Sequence, residues 1–565
     1  MNASDYLVDF LIRRHVTDAF GIPGGVILDF LYAMDRRKCE ITPHLNYHEQ
    51  GAAFAACGYA QTTGTLGVAY ATRGPGIANM VTAIADAYCD SIPVLFLTAH
   101  SPGSARPGVR VETDQELDLI PLLSGITKYA ARIDRAEDLC PMLEQACLEA
   151  TSGRFGPVAL DLSTQVLSAE ITPPPAPPSR PPLAEHAAQT AARYLASSLK
   201  NAARPVFLIG DGVNQSHTGP QVRSLAEQAG IPVLSSRFSQ DVMPDSAMSF
   251  GYIGSHAARY ANFILSKADL IVTLGNRMSF PVDSPSYRPL LERTQTIRID
   301  IDEMELLREI PNSKSFSVSL TALLPRLHRM ELTYEGRQDW LNVCRTLKSA
   351  LWEQDAGFPI SAIADILRKA DLSAVVVCDV GNHEMWLSRA YAYAQTPQRV
   401  LYSKSFGALG CALAKAIGAY YATRRPVICF TGDQGLQLNI QELQFIAQHK
   451  LPVTIVLLNN ASSGMIRSRE AQRYDAHFVH TTLDSGYGTP NFAALARAYG
   501  LDYLHLTEET ADEAACVFCN DRLARFVELS IDEAVDIAPY LPRGNPLQAL
   551  IPALPEDVYR QLDGL

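Results

Sequence analysis

Asp433 and Asn460 are the residues whose types and spacing most directly suggest chemistry. Asp433 follows the apolar run Val427–Thr431 in TGDQG, and Asn460 closes VTIVLLNN 27 residues later. An aspartate directly after a strand, glycines beside it, then a helix and a second strand make a compact unit with both side chains on adjacent strand ends. Together they offer hard oxygen ligands of the kind Mg2+ takes while it holds a diphosphate. The helix start after the glycine loop offers N–H groups to phosphate oxygens. An ordinary crossover with a capping aspartate has the same spacing, and spacing alone leaves both readings open.

Strands must carry these loops, and the chain supplies them in three blocks. It has 565 residues, 47% apolar and 19% charged, which is globular and excludes disorder over most of its length. At roughly 100–200 residues per domain it is too long for one core. Seven prolines in the fifteen residues ITPPPAPPSRPPLAE mark an extended linker over 171–185, since proline suits neither a helix interior nor a central strand. A second seam lies near 330–350, at the charged run RMELTYEGRQDW. The first block has strand-like runs at Leu66–Tyr70 and Val94–Thr98, separated by a helical stretch over Ile77–Tyr88. The second has Val206–Ile209, Val233–Ser235, Leu270–Leu274 and Thr296–Ile301. The third has Ala374–Val377, Val427–Thr431, Val453–Leu458 and Phe526–Leu529. This alternation predicts an α/β protein of three doubly wound, mainly parallel-sheet domains. Their expected bounds are 1–170, 186–335 and 350–545, with a tail over 546–565. No short repeat is visible.

Lys and Arg number 48 against 60 Asp and Glu, a net charge of −12. A basic nucleic-acid footprint is excluded, and any anionic ligand must be held by local donors. No uninterrupted apolar run reaches about eighteen residues, and MNASDYLVDFLIRRH lacks the basic–apolar–small order of a signal peptide. The expectation is a cytoplasmic protein that does not enter a membrane. Eleven cysteines scattered through apolar runs read as reduced core thiols. Cys516 and Cys519 have the one metal- or redox-like spacing, but they stand alone in an alanine-rich helical stretch and read as core.

The GDQG…NN stretch resembles the cofactor and metal motif of the thiamin diphosphate (ThDP) enzymes of the acetolactate synthase-like superfamily, where GDG precedes NN at a similar distance. The resemblance implies that Asp433, Asn460 and the backbone carbonyl of Ser462 hold Mg2+, with Gly432, Gln434, Gly435, Gly464 and Met465 against the cofactor. The family's GDGS reads GDQG here. Gln434 thus stands at the second glycine, and the loop must avoid positive φ there or have moved its glycine to Gly435. The first block carries the complementary half: YHEQGAAFAACGYAQTTG and ATRGPGIAN resemble the family's pyrimidine-binding domain. Glu49 matches the glutamate that bonds N1′ of the aminopyrimidine. A carboxylate there favours the imino tautomer, which can take the proton from thiazolium C2 and create an electron sink for 2-oxo acid decarboxylation. Pro75, Asn79 and Gln115 match further cofactor- or site-lining positions, Gln115 and His100 joining Glu49 as catalytic candidates. In the third block GNHEMW resembles GQHQMW, which puts Asn382 and His383 near the diphosphate. SKSFGALGCALAKAIG resembles SGGLGTMGFGLPAAIG, which puts Gly407 and Leu409 under the cofactor, where a bulky apolar side chain bends it. The resemblance runs from about residue 4 to residue 550, through all three domains.

Departures from the family pattern bear on the substrate. Simple 2-oxo acid decarboxylases of the family carry a paired His-His in the first domain, absent from this sequence, which favours a carboligase. Three acceptor-side positions differ from acetolactate synthases: His100 replaces a Gln, Asp114 a Phe, and Arg469 in GMIRSRE the Trp of GMVRQWQ. Arg277 in GNRMS falls on an arginine that holds an acceptor carboxylate there, and a strand-end surface arginine is an equal reading. ARYANFILSKADLIVTLGNRMSFP, DQELDLIPLLSGITKYA, DSGYGTPNFAALARAYG and the tail GNPLQALIPALP look closer to the carboligases of polysaccharide and specialised pathways than to the branched-chain amino-acid enzyme. The resemblance implies a 2-oxo acid donor, pyruvate foremost, a second carbonyl compound as acceptor, and a homodimer or homotetramer with active sites between subunits. FAD in the middle domain stays open: the loops Gly210–Gly212 and Gly275–Arg277 and the acids Asp300 and Asp302 suit it, but there is no GxGxxG. A decarboxylase, acetolactate synthase proper, a non-catalytic partner of the same fold and a CoA-substrate lyase are the alternatives.

Overall fold

The structure is a computed structural model that describes residues 1–103, 114–172, 185–278, 285–352, 357–511 and 524–565. Most of the expected proline linker, and Cys516 with Cys519, lie outside the described residues. Three six-stranded sheets carry the fold, and every described strand pairing within them is parallel. Each strand expected from the sequence is present, with ends moved by one or two residues. The helix expected over Ile77–Tyr88 is two helices, Pro75–Asn79 and Val81–Asp90, which meet at Met80.

Numbered within each sheet, the first and third share one strand order, 2-1-3-4-6-5, while the second runs 3-2-1-4-5-6. The first and third thus share one topology. In each order the chain leaves its first strand on one side and returns on the other, which opens a crevice between neighbouring strand ends. In the third sheet that crevice lies between Val375–Cys378 and Val427–Gly432. The next strand, Val453–Asn459, pairs so that Gly432 lies opposite Leu458. Asp433 and Asn460 therefore do emerge from adjacent strand ends. These runs are apolar throughout because helices cover both faces of a parallel sheet.

The chain packs as two compact units. One contains the first and third sheets; the other contains the second sheet, Met385–Gln398 and the stretch from Val535 to Leu565. In the second unit the charged run near 330 leads into the helix Arg337–Leu351, whose Trp340, Leu341, Cys344, Leu347 and Leu351 join its core. The tail also belongs there: Arg259 and Asn262 donate hydrogen bonds to the Leu550 and Leu547 carbonyls at 3.2 and 3.0 Å.

In the first unit the helices Glu49–Thr63 and Ala412–Thr423 cross at backbone contact. Both are rich in Ala and Gly, and the glycines face carbonyls. A Cβ on Gly418 would overlap the Ala55 carbonyl oxygen, and one on Gly58 would overlap that of Lys415. Gly418→Ala should cost at least the ~1–3 kcal/mol typical of an overpacked core. Gly125→Ala, which meets nothing within 4 Å, should leave the thermal midpoint unchanged. Equal midpoints for the two variants in a thermal melt would remove the claim of close contact.

Candidate functional site

The loops that leave the third sheet converge on a pocket of unsatisfied polar atoms. Asp433 opens the helix Asp433–Leu438 and is buried. Its Oδ1 accepts the Gln434 N–H at 2.9 Å and the Tyr487 hydroxyl at 2.8 Å, while Oδ2 is buried without a partner. Burial outweighs these donors and the nearby Ser462 N–H, pushing the pKa of this carboxyl up to about 6. A cation beside Oδ2 would reverse that. Asn382 and His383, which open the helix Asn382–Ala394 after the neighbouring strand, are buried as well. Both amide atoms of Asn382 and the His383 Nε2 have no hydrogen-bond partner. Burial holds the His383 imidazole neutral, with its pKa lowered to about 4. Unpaired buried polar atoms are costly. Four in one crevice point to a polar ligand.

The glycines shape the cradle. A Cβ on Gly464 would collide with the amide nitrogen of Asn382 and lie 2.7 Å from that of Asn460, so these three sit together. Gly464 and Met465 open the helix Gly464–Arg473 there. Gly432 approaches the His383 ring, which a Cβ would meet at 3.1 Å. The GDQG question has a structural answer: neither Gln434 nor Gly435 takes positive φ, because both are helical. Gly435 is kept for space, since a Cβ would lie 3.0 Å from Asp379 Oδ2 and 3.4 Å from the Leu409 side chain. Gly407 does take positive φ, +70°, at an open turn before Leu409.

The first sheet builds a second cluster at its own crevice. Glu49 is the first residue of its helix, behind His48, whose ring nitrogen accepts the Gln50 N–H at 3.0 Å. Asn79 donates to Glu49 Oε2 at 2.9 Å. Gly76, beside Pro75, lies against Glu49 Oε1, which a Cβ there would meet at 3.7 Å. Gly74, φ +59°, runs directly against the Gln115 carbonyl. Glu49, Pro75, Asn79 and Gln115 are therefore brought together. His100 is buried with both ring nitrogens facing carboxylates, Nε2 at 2.9 Å from Asp134 and Nδ1 at 3.0 Å from Asp161. Asp114 and Arg469 are exposed, and Arg277 is ion-paired with Glu305 at 3.1 Å.

Three supporting residues escaped the sequence reading. Asp379 is buried, and its carboxylate accepts the Val380 and Gly410 N–H groups at 2.8 Å, tying the Asn382 loop to the Leu409 loop. It ends a strand as Asp433 does, and that signal was available. Tyr487 carried no such signal. Neither did Glu442, which is buried and accepts from Asn46 Nδ2 at 2.9 Å and the Tyr47 N–H at 3.3 Å. It anchors the loop that delivers Glu49.

Comparison with known proteins identifies the family. Models of the thiamine pyrophosphate enzymes match in chain order: the N-terminal TPP binding domain over residues 1–122, the central domain over 192–327 and the C-terminal TPP binding domain over 379–520. The chain is 31% identical to the acetolactate synthase isozyme 2 large subunit of Escherichia coli (strain K12), covering 96% of this chain and 98% of that one. It is 31% identical to the acetolactate synthase large subunit of Lactococcus lactis subsp. lactis (strain IL1403), over 96% and 95%. It is 30% identical to the chloroplastic acetolactate synthase 1 of Oryza sativa subsp. japonica, over 97% and 87%.

Glu442 makes the electrostatics testable. Burial raises its pKa to about 7, against the three hydrogen bonds that favour its charged form. A carboxyl raised on folding binds its proton more tightly in the native state, so its contribution is most favourable below the unfolded pKa and is lost as pH rises towards 7. The span corresponds to on the order of 3 kcal/mol. The wild-type thermal midpoint should fall relative to that of Glu442→Gln between about pH 4.5 and 7. Parallel curves would show that Glu442 ionises at its ordinary value.

Proposed function

We propose a reaction from one premise: this chain belongs to the thiamine pyrophosphate enzyme family, among its acetolactate synthase-like members. The reaction is decarboxylation of a 2-oxo acid, with pyruvate as donor, and transfer of the acyl unit to a second carbonyl compound. The observation that carries it is the crevice where Asp433 Oδ2, the Asn382 amide and His383 Nε2 stand buried and unpartnered. These atoms fit a metal-bound diphosphate.

Asp433, Asn460 and the Ser462 carbonyl would hold Mg2+. Diphosphate and water oxygens would supply the rest of its ligands; among the described residues no group of three His, Cys, Asp or Glu could hold a metal by itself. The Gly432–Gly435 loop and the helix start at Gly464–Met465 would turn N–H groups toward the phosphates. Leu409, with Gly407 before it, would bend the cofactor by its bulk. Bound ThDP supplies the electron sink that lets a 2-oxo acid lose CO2. Glu49 would hold the aminopyrimidine ring and govern which of its nitrogens carries the proton, with Pro75, Asn79 and Gln115 lining that side.

The proposed assembly is a homodimer or homotetramer in which one copy's Glu49 cluster meets another's Asp433 loop. Phe406, Leu438 and Ile466 are exposed, each within a few residues of a proposed cofactor residue, and would be covered there. On the acceptor side, Asp114 and Arg469 stand in place of an apolar Phe and Trp, with His100 in place of a Gln and Arg277 kept for an acceptor carboxylate, which favours a polar acceptor over a small apolar 2-oxo acid. The proposed domain bounds are 1–170, 186–335 and 350–545. FAD enters no step of the mechanism and stays an optional ligand of the middle domain. No helix among the described residues is long and apolar enough to cross a membrane, and a cytoplasmic setting is part of the proposal.

The direct test is incubation of the purified protein with ThDP, Mg2+, pyruvate and a panel of aldehydes and ketones, read by mass spectrometry. Glu49→Gln should retain the cofactor but slow turnover by ~10²–10⁴. Asp433→Ala should weaken ThDP binding by orders of magnitude, and EDTA should abolish activity that Mg2+ restores. Full turnover in Glu49→Gln would refute the mechanism. Arg469→Trp should shift product toward small apolar acceptors, and an unchanged product spectrum would refute only the acceptor assignment.

A further inference from the structure

The turn from Thr481 to Tyr487 supplies none of the proposed ligands, yet it is bonded to both sides of the loop pair that does. On one side the Thr481 carbonyl accepts the Ser462 hydroxyl at 2.7 Å and the Ser463 N–H at 3.0 Å. The turn is tightly made. The Ser485 hydroxyl accepts the Thr481 and Thr482 N–H groups at 3.0 and 2.9 Å, and the Tyr487 N–H closes it on the Thr482 carbonyl at 2.9 Å. Gly486 reverses the chain at φ +99°, a conformation glycine takes without strain. The Tyr487 side chain then reaches the other side, its hydroxyl donating to Asp433 Oδ1 at 2.8 Å.

The consequence is a carboxylate with two unlike oxygens. Oδ1 is occupied by two donors, the Gln434 N–H and the Tyr487 hydroxyl, while Oδ2 is buried and bare. A carboxylate that turns freely can present either oxygen to a cation, or both. We propose that Tyr487 is a positioning residue for the metal site, holding Asp433 Oδ1 so that Oδ2 alone is presented to a divalent cation. The inference rests on the reading of Asp433 as a metal ligand and deepens it. The turn ties the Ser462 segment and Asp433 into one frame, so ligands from two strand ends keep a fixed separation. Such a frame suits Mg2+, which requires near-octahedral, one-oxygen contacts, more than Ca2+, which accepts bidentate carboxylates.

The experiment uses the full-length protein with ThDP. Mn2+ binding is followed by electron paramagnetic resonance, and the Mg2+ and Ca2+ dependence of ThDP binding by calorimetry. Tyr487→Phe keeps the ring and removes the donor; Tyr474→Phe removes an exposed phenol nearby and serves as the control. Tyr487→Phe should weaken Mn2+ and Mg2+ binding roughly 10–100-fold, the usual effect of losing a partner of a metal ligand. Ca2+ should lose less, so the Ca2+/Mg2+ affinity ratio rises, whereas loosening of the turn without this role would weaken both alike. Unchanged or tighter Mg2+ binding in Tyr487→Phe, or equal losses for both ions, would overturn the proposal. Asp433→Ala separates the two claims. If it binds metal as the wild type does, the metal-loop reading falls. If it loses metal while Tyr487→Phe keeps it, only the role of Tyr487 falls.

Discussion

Backbone contact between the helices Glu49–Thr63 and Ala412–Thr423 is the constraint on which the first unit depends. Helices this close exclude side chains from the seam, which is why Gly58 and Gly418 stand there against carbonyl oxygens. A buried ion pair lies in the same region: Lys415 Nζ is 2.9 Å from Asp86 Oδ2, and both side chains are fully buried. Such a pair adds little net stability over an apolar pair, but either partner alone would be a buried charge. Lys415 also donates to the Tyr402 carbonyl at 3.2 Å, and Asp86 accepts the Ser403 hydroxyl. Asp90 accepts the Lys404 and Ser405 N–H groups at 2.5 and 2.7 Å. The helix Val81–Asp90 thus holds the 402–405 segment, which leads into Gly407 and Leu409. Glu49 opens one of the two contacting helices, and the Leu409 loop enters the other. The seam carries both.

Buried carboxyls mark what the fold leaves uncompensated. Asp379 and Glu442 are pushed up by burial, to about 6 and about 7, yet each spends its oxygens on backbone and amide donors that tie loops together. Asp433 is raised to about 6 as well, but one of its oxygens has no donor. The first two are structural acids. The third keeps a bare oxygen, and its neighbours Asn382 and His383 are likewise unsatisfied.

The second unit shows the opposite economy at its own topological crevice. There Gly210 and Gly212 pack directly on Gly275 and Asn276, and the Asn276 amide donates to the Ile209 carbonyl at 2.9 Å. The Asp302 side chain accepts the Met304 N–H at 2.9 Å, and Asp300 accepts the Asp302 N–H at 3.0 Å. Close packing of the two glycine loops and local capping account for these residues. Similar Gly-Asp loop signatures therefore leave buried polar atoms unpartnered in one sheet and pack loop on loop in another.

That contrast separates what the chain alone determined from what needed the fold. Strand runs such as Val427–Thr431 and Val453–Leu458 were legible because a parallel sheet covered on both faces demands continuous apolar side chains. Asp433 and Asn460 were legible because the crossover that joins such strands has a narrow range of lengths, so their spacing already placed them on neighbouring ends. The short edge strands Thr42–Leu45 and Tyr129–Ile133 were not legible, since mixed burial blurs their pattern. Nor was the shared 2-1-3-4-6-5 order, because topology is set by which strands pair and not by local composition. Gln434 shows the limit most plainly. Sequence posed a choice between avoiding positive φ and moving the glycine, and the helix beginning at Asp433 decided for the first: neither residue takes positive φ, and Gly435 is there for space. Tyr487 and Glu442 lie 54 and 396 residues from Asp433 and Asn46, the groups they hold. A hydrogen bond across such separations leaves no trace in local pattern, and only the folded chain brings its two ends together.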